Sequence, residues 1–260
     1  MIDLHAPILD LSRPAGGESA DAWVEASITR GATTVVCTPT MIGPPEEWLA
    51  TRDRVVRELD AQRVADIRPG ALINLDLLPR LGDEVLRRAS LGGNGRWVLV
   101  SLPTVGWPIE LGTLIDALDI RGFGVILAEP EMNESVQRSA GRLRDAIGRG
   151  ALVLVSARSL TLGNGRRVRW TAANLLRNGM IHAIGGGGNV DHAPQLLEGV
   201  VAAATVLRRE PRELSWLVQD GPEEILAGGQ VRAPKITVLR RARPTAERSD
   251  RDGSPPPTRA

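Results

Sequence analysis

Trp97-Val98-Leu99-Val100-Ser101-Leu102, a spaced apolar pattern over Ile109–Asp119, and then Gly124-Val125-Ile126-Leu127-Ala128: the alternation in this stretch decides the fold. The two apolar runs are short, rich in β-branched residues and hydrophobic at successive positions. A strand of that kind is buried on both faces, as in a parallel sheet covered by helices. The segment between them repeats its apolar residues at helical spacing, which makes the unit a strand, a crossover helix and a parallel strand.

The same alternation extends in both directions. Towards the N-terminus, Ile2–Leu4 and Thr33–Cys37 read as strands, the latter cut off before Pro39. Asp21–Arg30, ending at Gly31, and Glu46–Arg63 read as helices, followed by a strand over Asp66–Asn74 and a helix over Leu81–Ala89. Towards the C-terminus come a helix over Glu134–Arg149, a strand over Leu152–Val155, a helix around Thr171–Arg177, a strand over Ile181–Ile184 and a helix over Pro194–Leu207. Two short helices are expected at Pro211–Val218 and Pro222–Leu226. Roughly seven strand–helix units result, an α/β fold. The pattern alone leaves a doubly wound sheet and a closed barrel both open. In either, ligands gather at the C-terminal ends of the strands.

Composition narrows the functional classes. The 32 basic residues are balanced by 31 acidic ones, so no net field draws the chain to nucleic acid or an anionic membrane surface. The single cysteine, Cys37, excludes an intramolecular disulfide and fits a reducing compartment. Lying within an apolar run, it reads as a buried inert thiol, and no Cys-x5-Arg pattern supports a nucleophile. The opening Met1-Ile2-Asp3-Leu4-His5 lacks the basic and apolar regions of an export signal, and no stretch reaches the ~18 apolar residues of a membrane helix. The expectation is a cytoplasmic protein with no membrane insertion and no nucleic-acid partner. From Val231 the composition turns to Arg, Pro, Ser and Asp, with eight basic residues against three acidic. Residues 1–230 therefore read as one α/β domain and 231–260 as a largely disordered tail, in which Lys235–Leu239 is a candidate edge strand.

Several strand ends carry a resemblance. Ile2-Asp3-Leu4-His5-Ala6-Pro7-Ile8-Leu9, Gly31-Ala32-Thr33-Thr34-Val35-Val36-Cys37-Thr38-Pro39, Pro69-Gly70-Ala71-Leu72-Ile73, Leu127-Ala128-Glu129-Pro130-Glu131, Val155-Ser156-Ala157-Arg158-Ser159-Leu160 and Ile181-His182-Ala183-Ile184 follow in register across roughly residues 1–228. Together they resemble the polymerase-and-histidinol-phosphatase (PHP) family, specifically its bacterial manganese-dependent tyrosine phosphatases of capsular polysaccharide export. The resemblance implies a distorted (β/α)7 TIM-like barrel with a trinuclear metal site at the strand C-termini. It also implies a protein partner from that pathway, such as a tyrosine kinase or a polysaccharide-export component.

Carried over position by position, the metal site does not survive. The family's H-x-H pair falls on His5 and Pro7, the His after Thr-Pro becomes Thr40, and a bridging Glu becomes Leu72. In H-P-E-R the His becomes Glu129 and the Arg becomes Met132. The S-D-A-H segment becomes Gly186-Gly187-Gly188-Asn189, and the acidic pair after the first strand becomes Ser12-Arg13-Pro14. The chain has three His in all, so no shift of alignment restores the set. Pro and Gly bring no ligand atom, and Leu cannot bridge cations. His5 and Glu129, with Asp10 nearby in sequence, are the metal candidates, sufficient for one weakly bound manganese or other divalent ion. The competing expectation is no cofactor, with His5 a hydrogen-bonded core residue.

Three functions follow as expectations: a degenerate, catalytically inactive protein that binds or regulates; an active metal-dependent tyrosine phosphatase with a rearranged site; and a small-molecule binder using a vacated, roomier and more apolar cavity. A ligand in that cavity would meet Thr40, Arg158, Gly187 and Asn189. Gly185–Asn189 could also offer backbone N–H groups to a phosphate, although it lacks phosphate-loop spacing and reads equally as a relaxed loop. His182 and His192 read as structural or solvated. Gly163–Arg169 is a basic turn leading into a helix.

Overall fold

The computed structural model describes residues 1–8, 20–61, 65–187 and 196–231. Eight parallel strands alternate with helices. In chain order they are β1 (Ile2–Ala6), α1 (Ala20–Thr29), β2 (Thr34–Cys37), α2 (Pro45–Ala61), β3 (Asp66–Pro69), β4 (Leu72–Asn74), α3 (Asp83–Ala89), β5 (Trp97–Ser101), α4 (Leu111–Ile120) and β6 (Gly124–Ala128). There follow α5 (Glu134–Arg138), α6 (Gly141–Gly148), β7 (Leu152–Ser156), α7 (Ala157–Leu160), α8 (Arg166–Arg177), β8 (Ala183–Gly185), α9 (Leu196–Leu207) and α10 (Asp220–Leu226). Strands β1-β2-β3 form one sheet and β4-β5-β6-β7-β8 the other.

The two sheets are one wall. Beyond Pro39, Thr40 pairs with Leu72, Leu72 N–H donates to the Pro39 carbonyl at 3.0 Å, and Met41 N–H donates to the Leu72 carbonyl at 2.9 Å. The stretch Asp66–Asn74 is thus not the single strand expected from sequence. It breaks at Gly70-Ala71, after β3 finishes pairing with β2 and before β4 takes up β5. On the far side β1 lies against β8, where Gly187 N–H donates to the His5 carbonyl at 3.0 Å. With β3 and β4 counted as one interrupted stave, the wall has the seven staves expected.

Side chains alternate across it as the period of two demands. Ile2, Leu4, Val36, Leu99, Ile126 and Leu154 fill the interior, with Trp97 and with Ile225 and Leu226 of α10 in the same cluster. Val98, Val100, Val125, Leu127, Val153 and Val155 face outward under the helices. The expected helix over Glu134–Arg149 is two, because Ser139 is extended (φ −159°, ψ 128°) and stops α5. The expected strand over Lys235–Leu239 and the tail lie outside the described residues.

The break at Gly70 is held by a buried arginine. Arg52 of α2 is 1% exposed. Its Nη1 donates to the Gly70 carbonyl at 2.7 Å, its Nη2 to the Arg88 carbonyl at 2.9 Å and its Nε to Asp53 at 2.8 Å. Gly70 itself admits no side chain, since a Cβ there would sit 2.8 Å from Thr38 Cγ2 and 2.9 Å from Val36 Cγ1. Replacing Arg52 by Ala strands the buried Gly70 carbonyl, the half-buried Arg88 carbonyl and an acidic partner, so R52A is expected to lower the unfolding free energy by about 3 kcal/mol. Urea denaturation measures it, and a loss below ~1 kcal/mol would show that water replaces the guanidinium.

Candidate functional site

The C-terminal ends of β1, β2, β6, β7 and β8 bring a group of polar side chains together. The first comes from a bulge. Asp3 pairs with Val35 and Ala6 with Cys37, so Leu4 and His5 both oppose the one residue Val36. A bulge re-aims a side chain that regular alternation would place on the other face. It presents His5 to Thr38, with Nδ1 and Oγ1 2.7 Å apart. Burial holds the His5 imidazole below its ordinary pKa, opposed by the charge of nearby Glu129. Asp3 is 1% exposed, and its Oδ1 accepts from the backbone N–H of His5 at 3.0 Å and of Gly186 at 2.8 Å. Desolvation pushes its carboxyl up to about 6, against those two hydrogen bonds.

β6 is followed by Glu129, which has left-handed backbone angles (φ 48°, ψ 45°), uncommon for a residue with a side chain. Two residues on, Glu131 is fully buried, and its Oε1 accepts from the N–H of Ser156 at 2.9 Å. Burial first, and the charge of Glu129 second, push the Glu131 carboxyl up to about 8. Asp3 Oδ2, Glu129 Oε1, Glu131 Oε2 and Ser156 Oγ are all buried without a protein partner.

Gly187 shows how tightly these groups are packed. Its backbone is left-handed (φ +52°), and a Cβ there would lie 2.3 Å from Glu129 Oε1 and 2.6 Å from Ser156 Oγ. The space expected to be vacated at this position is therefore filled by Glu129. Beside Gly187 the mouth is therefore not the roomier cavity expected from the sequence. Among the described residues no three His, Cys, Asp or Glu side chains come together as ligands of one ion. The donors among the described residues do not fit a trinuclear manganese cluster.

The sequence candidates separate accordingly. His5, Glu129 and Gly187 share the barrel mouth. Thr40 is exposed and serves the sheet junction through its bridge to Leu72. Arg158 turns to the following loop, its Nε donating to Asn164 Oδ1 at 3.2 Å while its stem packs on Gly163. Asn189, Asp10 and His192 lie outside the described residues. Cys37 is buried, its thiol pushed up to about 12 by desolvation, as an inert thiol should be. Asp3, Thr38, Glu131 and Ser156 were not singled out from sequence. The available signal was a charged residue inside a buried apolar strand, which must find partners.

Glu131 gives a test of this electrostatic reading. Its pKa is higher folded than unfolded, so the stability it confers is full below the unfolded value of 4.5 and is lost as pH rises towards about 8. E131Q keeps the acceptor for Ser156 and removes the titration. The variant is expected to melt higher than the parent at pH 8 and to lose part of the decline between pH 5 and 8. Equal pH profiles of Tm would contradict the buried carboxyl.

A comparison with family models finds no match. Among curated proteins, the chain is 22% identical over 193 residues to the tyrosine-protein phosphatase YwqE of Bacillus subtilis, covering 71% of this chain and 75% of that one. Among solved structures, it superposes with a TM-score of 0.74 and 18% identity on one from a study of YwqE from Bacillus subtilis and CpsB from Streptococcus pneumoniae, described as metal-dependent tyrosine phosphatases. That match covers 93% of this chain and 100% of the other. A TatD-family hydrolase from Entamoeba histolytica matches with a TM-score of 0.54 and 10% identity over 86% of this chain and 97% of its own. The TIM-like barrel is the fold this chain shares with these structures, and its sequence is similar to that of the tyrosine-protein phosphatase YwqE.

Proposed function

We propose that this chain is a PHP-type barrel that has given up phosphomonoester hydrolysis and acts by binding, as a regulatory protein of the cytoplasm linked to exopolysaccharide or capsule synthesis. The observation that carries the reading is the contact between Glu129 and Gly187. A ligand side chain at position 187 would have to start in space that the Glu129 carboxylate holds. Around it one oxygen of Asp3 is taken by the Gly186 and His5 amides, His5 Nδ1 by Thr38, and one oxygen of Glu131 by the Ser156 amide. Metal-dependent hydrolysis needs cations to hold the phosphate oxygens and to make hydroxide near neutral pH. Without them a phosphomonoester is among the slowest substrates to hydrolyse in water. A protein partner, of the kind a tyrosine kinase or polysaccharide-export component represents, is the occupant supported by the relative named as a tyrosine-protein phosphatase.

One observation favours a second reading, an active metal-dependent phosphatase with a rearranged site. Asp3, Glu129, Glu131 and Ser156 each leave a buried oxygen without a protein partner, and such oxygens attract a cation, a proton or water. Assaying the purified chain on p-nitrophenyl phosphate and a phosphotyrosyl peptide, with and without Mn²⁺, separates the two. No Mn²⁺-dependent release above the protein-free rate is expected. Mn²⁺-dependent turnover that vanishes in His5→Ala would establish the second reading. Restoring an acid at 187 is not expected to restore activity: G187D should lower Tm by several degrees, from its positive φ and its clash with Glu129. An unshifted Tm would show that Glu129 is free to move aside.

A further inference from the structure

A cavity of about 530 Å³ lies at the opposite end of the barrel, under the N-terminal ends of β5, β6 and β7 and just before β8. Trp97, Ile115, Phe123, Val125 and Ile147 form its apolar wall. Gly124 makes room for the Trp97 ring, since a Cβ there would fall 2.3 Å from it, and Trp97 Nε1 donates to the Gly229 carbonyl at 2.9 Å. The volume is that of a small-molecule pocket.

One buried polar group on this wall is left over. His182 is 5% exposed and lines the cavity. Its backbone N–H donates to the Val153 carbonyl at 2.9 Å, and its Nδ1 accepts from the Val153 N–H at 3.1 Å. An Nδ1 that accepts carries no proton, so the neutral ring keeps its hydrogen on Nε2. Burial holds the ring neutral, its pKa lowered to about 4. Among the described residues Nε2 has no hydrogen-bond partner.

The charged groups at the rim are already matched. Arg96 donates to the Gly122 carbonyl at 2.8 Å, pairs with Asp119 at 3.0 Å and lies over the Trp97 ring, while Arg149 pairs with Asp116. An ion entering the cavity would give up its hydration and find no free countercharge. The geometry points to a binding site for an uncharged, mostly apolar small molecule that places one acceptor, a carbonyl or ring nitrogen, on His182 Nε2–H. The site is separate from the His5–Glu129 group and independent of any phosphatase activity.

The test titrates the full-length chain with Prodan, a neutral naphthyl ketone whose emission reports both an apolar surrounding and a hydrogen bond to its carbonyl. Saturable, blue-shifted binding near one equivalent is expected, with the similar-sized anion anilinonaphthalene sulfonate binding more weakly. H182N keeps an acceptor for Val153 N–H and withdraws the donor from the cavity, so affinity should fall about tenfold. I147W enters the cavity from its partly exposed side and should abolish binding, which keeps the test decisive if H182N folds poorly. Absence of saturable Prodan binding, an unchanged affinity in I147W, or preference for the sulfonate would overturn the assignment.

Discussion

The barrel closes where β1 meets β8, and the closure runs through a buried carboxylate. Asp3 Oδ1 accepts the backbone N–H of Gly186 from β8's end and of His5 from its own strand, while the His5 carbonyl takes the N–H of Gly187. Hydrogen bonds of amides to a carboxylate are stronger than amide–amide bonds and lose most when one partner is left buried alone. This seam fixes the bulge in β1, the bulge fixes His5, and His5 with Gly187 fixes where Glu129 can sit. A catalytic mouth in an α/β barrel is normally the part of the fold that stability can spare. Here Asp3, His5 and Gly187 take part in the hydrogen bonds that close the barrel.

The space beside Gly187 is occupied rather than hollow. Three acidic groups at the mouth stay apart in role: Asp3 braces the seam, Glu131 holds Ser156 in a water-poor environment, and Glu129 packs over a glycine. Two of them are driven by desolvation towards the protonated form. A protonated carboxyl donates as well as accepts, so these groups need not all carry charge at once. Such a network can stand without cations, whereas fully ionised it would repel itself.

Much of the scaffold was legible in the sequence because strand and helix periods are local. The runs Trp97–Leu102 and Gly124–Ala128 could be nothing but buried parallel strands, and both stand where expected. Where the reading failed, the cause was a long-range partner. Asp66–Asn74 looks continuous, yet it must stop at Gly70 because the chain changes neighbours there and Arg52 claims the freed carbonyl. Departures at Pro7, Thr40, Leu72 and Gly187 from the metal-ligand pattern the sequence resembles were readable one position at a time. That Glu129 would fill the gap at Gly187 was not, because the contact joins β6 to the end of β8 across 58 positions, 187 − 129. Asp3 and Glu131 escaped for the same reason: their partners, Gly186 and Ser156, are remote in sequence.

If hydrogen bonds rather than cations hold this mouth together, the protein should carry no resident metal. Elemental mass spectrometry of the purified chain, dialysed first against Mn²⁺ and then against metal-free buffer, tests it most directly. The account predicts manganese, zinc and iron each far below one equivalent per chain. One or more tightly retained equivalents, lost in His5→Ala, would contradict it and mean that the barrel mouth still serves a metal.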